Sequence, residues 1–225
     1  MKKFMFKQTG TSNFDFVEFF NTVTNFILFN MLWLGGSLFI VTIPAVTAAL
    51  FASVAPWARG QSPDTPLVTF GTAVRRYWRK ATVLGVIDFV LGGLIALNLY
   101  IIQQSGFESF IALPAFIITA LFGLMLILAN VYLWPLLVTV DQPLRGWLKN
   151  GLRLSVAHPF WGILVAAASL IPLAIGAMLP RIILLIASFA GSALFAYMGA
   201  WRIMKRYLDE ADLQALGLEP EAEEA

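Results

Sequence analysis

Asp88 stands eight residues past Lys80 in an apolar stretch. At about 1.5 Å per helical residue its carboxyl lies about 12 Å from that cation, close to the midplane of a hydrocarbon layer about 30 Å thick. An acid at that depth costs on the order of 3 kcal/mol unless it holds a proton, a partner or water. Two chemistries fit. One is a proton or cation site, or a contact with substrate. The other is a protonated Asp bonded to a neighbouring helix through Asn30, Asn98 or Asn130, which fall in three separate apolar stretches. Interhelical hydrogen bonding is the ordinary use of asparagine in a helical bundle, and a polar substrate site is the alternative. A second constellation is basic: Arg75, Arg76, Arg79 and Lys80 lie within six residues, at the spacing of one interfacial helical face.

Other chemistry is missing. The chain has no cysteine, which excludes disulfides, thiolate metal sites and a cysteine nucleophile. His158 is the single histidine, standing before Pro159; without clustered acids it makes no metal site, and an interfacial hydrogen bond or a pH-sensing role is what it offers. No Gly-rich phosphate loop, GxSxG elbow or HExxH motif occurs, so neither an enzyme nor a cofactor is expected.

The elements that must position these groups are membrane helices. Of 225 residues 59% are hydrophobic and 12% charged, and residues 19–58 carry no charge at all. A crossing needs about 20 apolar residues. The forty uncharged residues break at Gly35-Gly36 and Thr42-Ile43-Pro44, which predicts a hairpin over 19–40 and 44–58, with Thr42 as cap and Pro44 in the first turn. A single long broken helix is the rival. Further passes are expected at 81–102, 111–140, 156–178 and 182–201. The fold class is therefore all-α, a polytopic membrane bundle of about six transmembrane helices, with two amphipathic interfacial helices between passes.

Charge sets the orientation. Residues 1–208 hold 15 bases and 6 acids, and the bases fall between alternate passes: Arg59 with the 75–80 cluster, then Arg145, Lys149 and Arg153, then Arg202, Lys205 and Arg206. Basic loops stay cytoplasmic, so both termini are expected inside, with Lys2, Lys3 and Lys7, and only Arg181 outside. On a multi-pass chain such a surplus reports topology, and nucleic acid is not an expected partner. Six of the seven tryptophans sit near predicted pass ends or in an interfacial helix, as an aromatic belt would place them.

Asp64-Thr65-Pro66-Leu67 and Asp141-Gln142-Pro143-Leu144 repeat at an offset of 77, which also superposes Trp57 on Trp134 and Phe70 on Trp147. Each Asp or its neighbour can cap an interfacial helix: Leu67, Phe70, Val74 and Trp78 share one apolar face, and Leu144, Trp147, Leu148 and Leu152 the other. Ser188, Ser192, Ala196 and Ala200 form a small-residue stripe for close helix packing, within the chain or against a second copy. Residues 1–18 read as a cytoplasmic N-terminal segment, 19–208 as the transmembrane domain and 209–225 as an acidic, solvated tail fraying into disorder.

The stretch Asn30-Met31-Leu32-Trp33-Leu34, then Thr42-Ile43-Pro44-Ala45-Val46-Thr47-Ala48-Ala49-Leu50, Arg59-Gly60 and residues 70–77 resembles the YesL-like family of bacterial integral membrane proteins, a domain of unknown function. Trp134-Pro135-Leu136-Leu137 with Asp141 and residues 152–158 is similar to that family's second cytoplasmic segment. The resemblance implies a small multi-pass protein of the bacterial cytoplasmic membrane whose relatives are often encoded near carbohydrate uptake and breakdown systems. It carries over no catalytic or ligand residue. The expected function is a non-enzymatic accessory or regulatory component of solute uptake, partnered by the lipid bilayer and by a transport-system subunit or a second copy. A small autonomous transporter with an intramembrane acidic site is the alternative.

Overall fold

The computed structural model describes residues 16–61, 66–105, 110–178 and 188–218, and all the regular structure among them is helical. Lys2, Lys3, Lys7, Asp64, Thr65, Arg181 and the end of the tail lie outside the described residues. In chain order the helices are α1 (Phe16–Gly36), a 3-10 turn (Ile40–Thr42), α2 (Ile43–Ala58), α3 (Pro66–Ser105), α4 (Ala112–Thr139), α5 (Leu144–Ala157), α6 (Pro159–Met178), α7 (Phe189–Met204) and the short α8 (Glu210–Ala215).

α2 is the centre of the bundle. Its run of alanine and valine carries no charge, and Ala45, Val46, Ala48, Ala49, Leu50, Val54 and Ala55 are all buried. A helix that is apolar all round belongs inside, and small side chains let neighbours come close. It packs against α3, α7, α4 and α1.

The predicted hairpin exists, and its register is set by two glycines. A Cβ on Gly85 would collide with the Pro44 ring, and one on Gly36 with Val46. The end of α1, the start of α2 and Gly85 of α3 therefore share one level. That level is five residues, about 8 Å, past Lys80, and α3 continues another twenty residues, about 30 Å, beyond it. At the tip Leu38, Phe39, Ile40 and Val41 are 72–80% exposed. Tip backbone groups are satisfied locally: Ser37 N–H donates to Trp33 C=O and Thr42 N–H to Phe39 C=O. The expected capping role of Thr42 is not seen. Its hydroxyl donates instead to the carbonyls of Gly36 and Phe39, closing the end of α1.

The first interfacial helix is a correction. Residues 66–80 run without interruption into the expected pass, giving one helix of 40 residues, about 60 Å long. The second does stand apart: α5 ends at Ala157, and α6 starts at Pro159. The 77-residue offset supplies the reason, because Pro159 corresponds to Thr82. Proline restricts the residue before it and has no N–H, whereas Thr82 bonds its hydroxyl to Trp78 C=O and lets the helix continue. At the superposed positions Phe70 and Trp147 are both buried. The packed face of α3 runs through Phe70, Ala73, Ala81 and Leu84, so Leu67 and Trp78 point outward, contrary to the face predicted.

Among the described residues four helices are long and apolar enough to cross a membrane by length and composition: Ile40–Ala58, Pro66–Gln104, Ala112–Thr139 and Pro159–Met178. The small-residue stripe packs within the chain. Ser188 and Ala200 are buried, the Ser192 hydroxyl donates to Ser169 C=O, and a Cβ on neighbouring Gly199 would strike Val165 of α6. Trp147, assigned to the aromatic belt, is instead a core residue whose Nε1–H donates to Leu133 C=O at 3.0 Å. Residues 209–218 do not extend the last helix. The chain turns after Met204, Asp209 accepts from Asp212 N–H, and α8 docks through a bond from Gln61 Nε2 to Leu216 C=O.

Candidate functional site

Of the four predicted intramembrane polar residues, two meet. Asn130 of α4 donates from Nδ2 to Asp88 Oδ1 of α3 at 2.8 Å and to Leu126 C=O at 3.0 Å. Both partners are acceptors, which fixes the orientation of the amide and leaves Asn130 Oδ1 buried with no hydrogen-bond partner. The other two asparagines serve elsewhere. Asn98 donates to Thr119 Oγ1 at 3.1 Å, joining α3 to α4 farther out. Asn30, fully buried, accepts from Ala190 N–H at 3.0 Å and ties α1 to the first turn of α7. Both act as polar glue between helices.

Asp88 and Asn130 line a cavity of about 610 Å³ bounded by residues of α1, α2, α3, α4, α6 and α7. Its walls include Trp33, Phe51, Trp134 and Phe189, with Ser169 and Ser192 toward one side. Trp33 is held by its Nε1–H on Thr47 Oγ1 at 3.1 Å and stacks on Phe189, while Trp134 stacks on Phe51. At the rim Ile127 and Leu170 are 55% and 60% exposed. Sequence reasoning missed the aromatic walls: Trp134, near a predicted pass end, reads as an interface anchor, and Trp33, Phe51 and Phe189 receive no site role. The signal that could have found them is the pairing of Trp33 with Asp88 at equal depth, which needs the hairpin register.

The basic cluster divides. Lys80 Nζ donates to Asp141 Oδ1 and to Gln142 C=O, each at 2.8 Å, and Arg76 Nη2 lies 4.0 Å from Asp141 Oδ2. Asp141 was expected to cap α5. It is an ion-pair partner instead, and the hydrogen bond and charge of Lys80 hold its carboxyl below the usual value. Arg75 and Arg79 are exposed, Arg79 lying over the Trp78 ring. Nearby, Arg59 donates to Tyr197 Oη at 3.1 Å, Tyr197 Oη sits 2.8 Å from Thr139 Oγ1, and His158 Nε2 pairs with Tyr207 Oη at 2.9 Å. Asp212 of α8 has its carboxyl pushed up by burial and by neighbouring Asp209. These bonds gather the ends of α2, α4, α5, α6 and α7 and the basic stretch of α3 at one end of the bundle. Among the described residues no three His, Asp or Glu side chains converge to hold a metal.

Residues 26–99, from α1 into α3, match a family described as "Protein of unknown function, DUF624". Over 170 residues, 74% of this chain and 75% of the relative, the sequence is 30% identical to "Uncharacterized protein YteU" of Bacillus subtilis (strain 168). The chain belongs to the DUF624 family. This is the grouping to which the YesL-like resemblance pointed. No solved structure matches the chain. The part of the chain matched by the DUF624 family includes Asn30, the hairpin and Asp88, whereas Asn130 lies beyond it.

Proposed function

We propose that this DUF624 protein is a non-enzymatic accessory component of a bacterial solute-uptake system, embedded in the cytoplasmic membrane with both termini cytoplasmic. The observation that carries the reading is the first part of α3, residues 66–80. There Leu67, Val68, Trp78, Arg75 and Arg79 present an exposed face, both apolar and basic, that none of the chain's own described helices covers. Such a face suits an acidic, partly apolar surface on a transport subunit.

The expected six passes take a modified form. With Lys80 at the cytoplasmic boundary, α3, α4, α6 and α7 cross, while α1 and α2 enter from the cytoplasmic side and turn at mid-depth. The register at Gly85 supports this threading, and so does the gathering of Arg59, Lys80 and His158 at one end. Apolar tip residues belong in lipid, and the internally bonded tip backbone tolerates it.

The test is a crosslinked pull-down from native membranes through an N-terminal tag. A reproducible transport-system subunit, lost when Arg75 and Arg79 are both changed to Glu, is the expected result; crosslinks only to itself would overturn the reading. A small autonomous transporter is the second reading, favoured by the Asp88 cavity. It predicts that Asp88→Asn abolishes uptake while the protein still inserts, and unchanged uptake would remove it.

A further inference from the structure

The cavity around Asp88 has the features of a site for one kind of ligand. Asp88 Oδ1 is taken by Asn130, and its Oδ2 carries no hydrogen bond among the described residues. Asp88 forms no ion pair among the described residues, and no Lys, Arg or His lines the cavity. Beside the carboxylate, Asn130 Oδ1 is a second buried acceptor without a donor. The site therefore offers two acceptors, Asp88 Oδ2 and Asn130 Oδ1; the Ser169 and Ser192 hydroxyls are already bonded to carbonyls and the Trp33 N–H to Thr47 Oγ1, and the other donors on the wall, the Thr47 hydroxyl and the Trp134 N–H, are bonded to neither acceptor.

Around these acceptors stand four aromatic rings, Trp33, Phe51, Trp134 and Phe189. Aromatic faces attract cations, most strongly where water is excluded. A volume of about 610 Å³ is that of a drug-sized molecule's site. The exposed rim at Ile127 and Leu170, between α4 and α6, opens toward the side of the bundle, where a ligand already dissolved in the bilayer would arrive.

We propose that this cavity binds a single lipophilic ammonium compound, with its N–H groups donating to Asp88 Oδ2 and Asn130 Oδ1 and its apolar body against the aromatic walls. A ligand of this class resolves both anomalies together: it neutralises an intramembrane acid and satisfies an orphaned acceptor. The inference does not rest on the accessory reading, since a sensor and a transporter could each use such a site.

The full chain in nanodiscs of zwitterionic lipid tests it, with dansylcadaverine as probe. Trp33 and Trp134 line the cavity, so binding is read as energy transfer from tryptophan to the dansyl group. Saturable transfer, displaced by unlabelled phenethylammonium, is expected. It should weaken at least tenfold in Asp88→Asn, and neither neutral dansylamide nor anionic dansylglycine should compete. Ala196→Phe, which fills the cavity from α7 without touching the acid, should also abolish the saturable part in protein that elutes as the wild type does. Equal affinity in wild type and Asp88→Asn, or dansylamide binding as tightly as dansylcadaverine, would reduce the cavity to an apolar slot. Retained binding in Ala196→Phe would place the site elsewhere.

Discussion

The depth of the α1–α2 tip can be measured directly because the chain has no cysteine, so one introduced thiol carries one spin label. α3 supplies the ruler. Labels at Thr72, Phe89 and Gln104, all exposed, lie about 12 Å before Lys80 and about 14 and 36 Å past it. The Pro44–Gly85 contact puts the base of the tip about 8 Å past Lys80, and its few residues of overhang bring Phe39 near the level of Phe89. Power-saturation spectroscopy should then find the Phe39 label accessible to oxygen and protected from an aqueous nickel chelate, as at Phe89. Two full crossings would instead put Phe39 with Gln104, some 20 Å farther out and open to the chelate. Energetics give a second measure: Ile40→Asp, at mid-depth, should cost on the order of 3 kcal/mol on an insertion scale, and close to nothing at an exposed outer loop. Nickel accessibility at Phe39 like that at Gln104 or Thr72, or full tolerance of Ile40→Asp, would refute the mid-depth hairpin.

Three further outcomes follow from named contacts. Gly199→Ala drives a methyl into Val165 and should lower stability by about 1–3 kcal/mol in thermal unfolding, with partial recovery in the Val165→Ala background; no loss would contradict the α6–α7 packing. Asn30→Leu removes the acceptor of Ala190 N–H and should cost about 1–3 kcal/mol, read in the same assay, and a neutral effect would argue against that bond. Asp141→Asn should destabilise by about 0.2–1 kcal/mol at neutral pH, because the paired carboxylate is largely exposed. Since Lys80 lowers the folded-state pKa of Asp141, that contribution is present above the ordinary value of about 3.9 and disappears as pH falls through the lowered one. The gap in unfolding temperature between wild type and variant should therefore close in acid, and a gap that persists there would refute the pairing.

The break between α1 and α2 was legible, since Gly35-Gly36 and Pro44 punctuate the uncharged run whatever lies around them. How deep the hairpin goes was not, because absence of charge reports length while depth depends on Pro44 meeting Gly85, forty-one residues later. Charge misled at Lys80: a cation gives a helix no reason to stop, and Thr82 stands where the second unit has Pro159. At the site, Asp88 and its need for a partner could be read from position alone. Which of three asparagines answers it depended on the facing of α3 and α4, and Asn30 went to Ala190. Asp141 illustrates the same limit, as its local pattern fits a cap and only the fold brings Lys80 within 2.8 Å.

An unbroken α3 makes the protein a mechanical transmission. Arg75 and Asp88 ride on one continuous helix, thirteen residues or about 20 Å apart, and in the proposed threading one end stands in the cytoplasm and the other in the hydrocarbon. If a partner tilts the cytoplasmic arm by about 10° around a pivot at the Pro44–Gly85 contact, Arg75 sweeps about 3 Å and the Asp88 carboxyl swings the opposite way by a fraction of that, with no hinge to absorb the torque. Between α5 and α6 the corresponding stretch is interrupted at His158-Pro159, so the second unit has no such continuous lever. If the cavity takes its proposed ligand and the arm its proposed partner, occupancy of one and engagement of the other become two readings of a single angle.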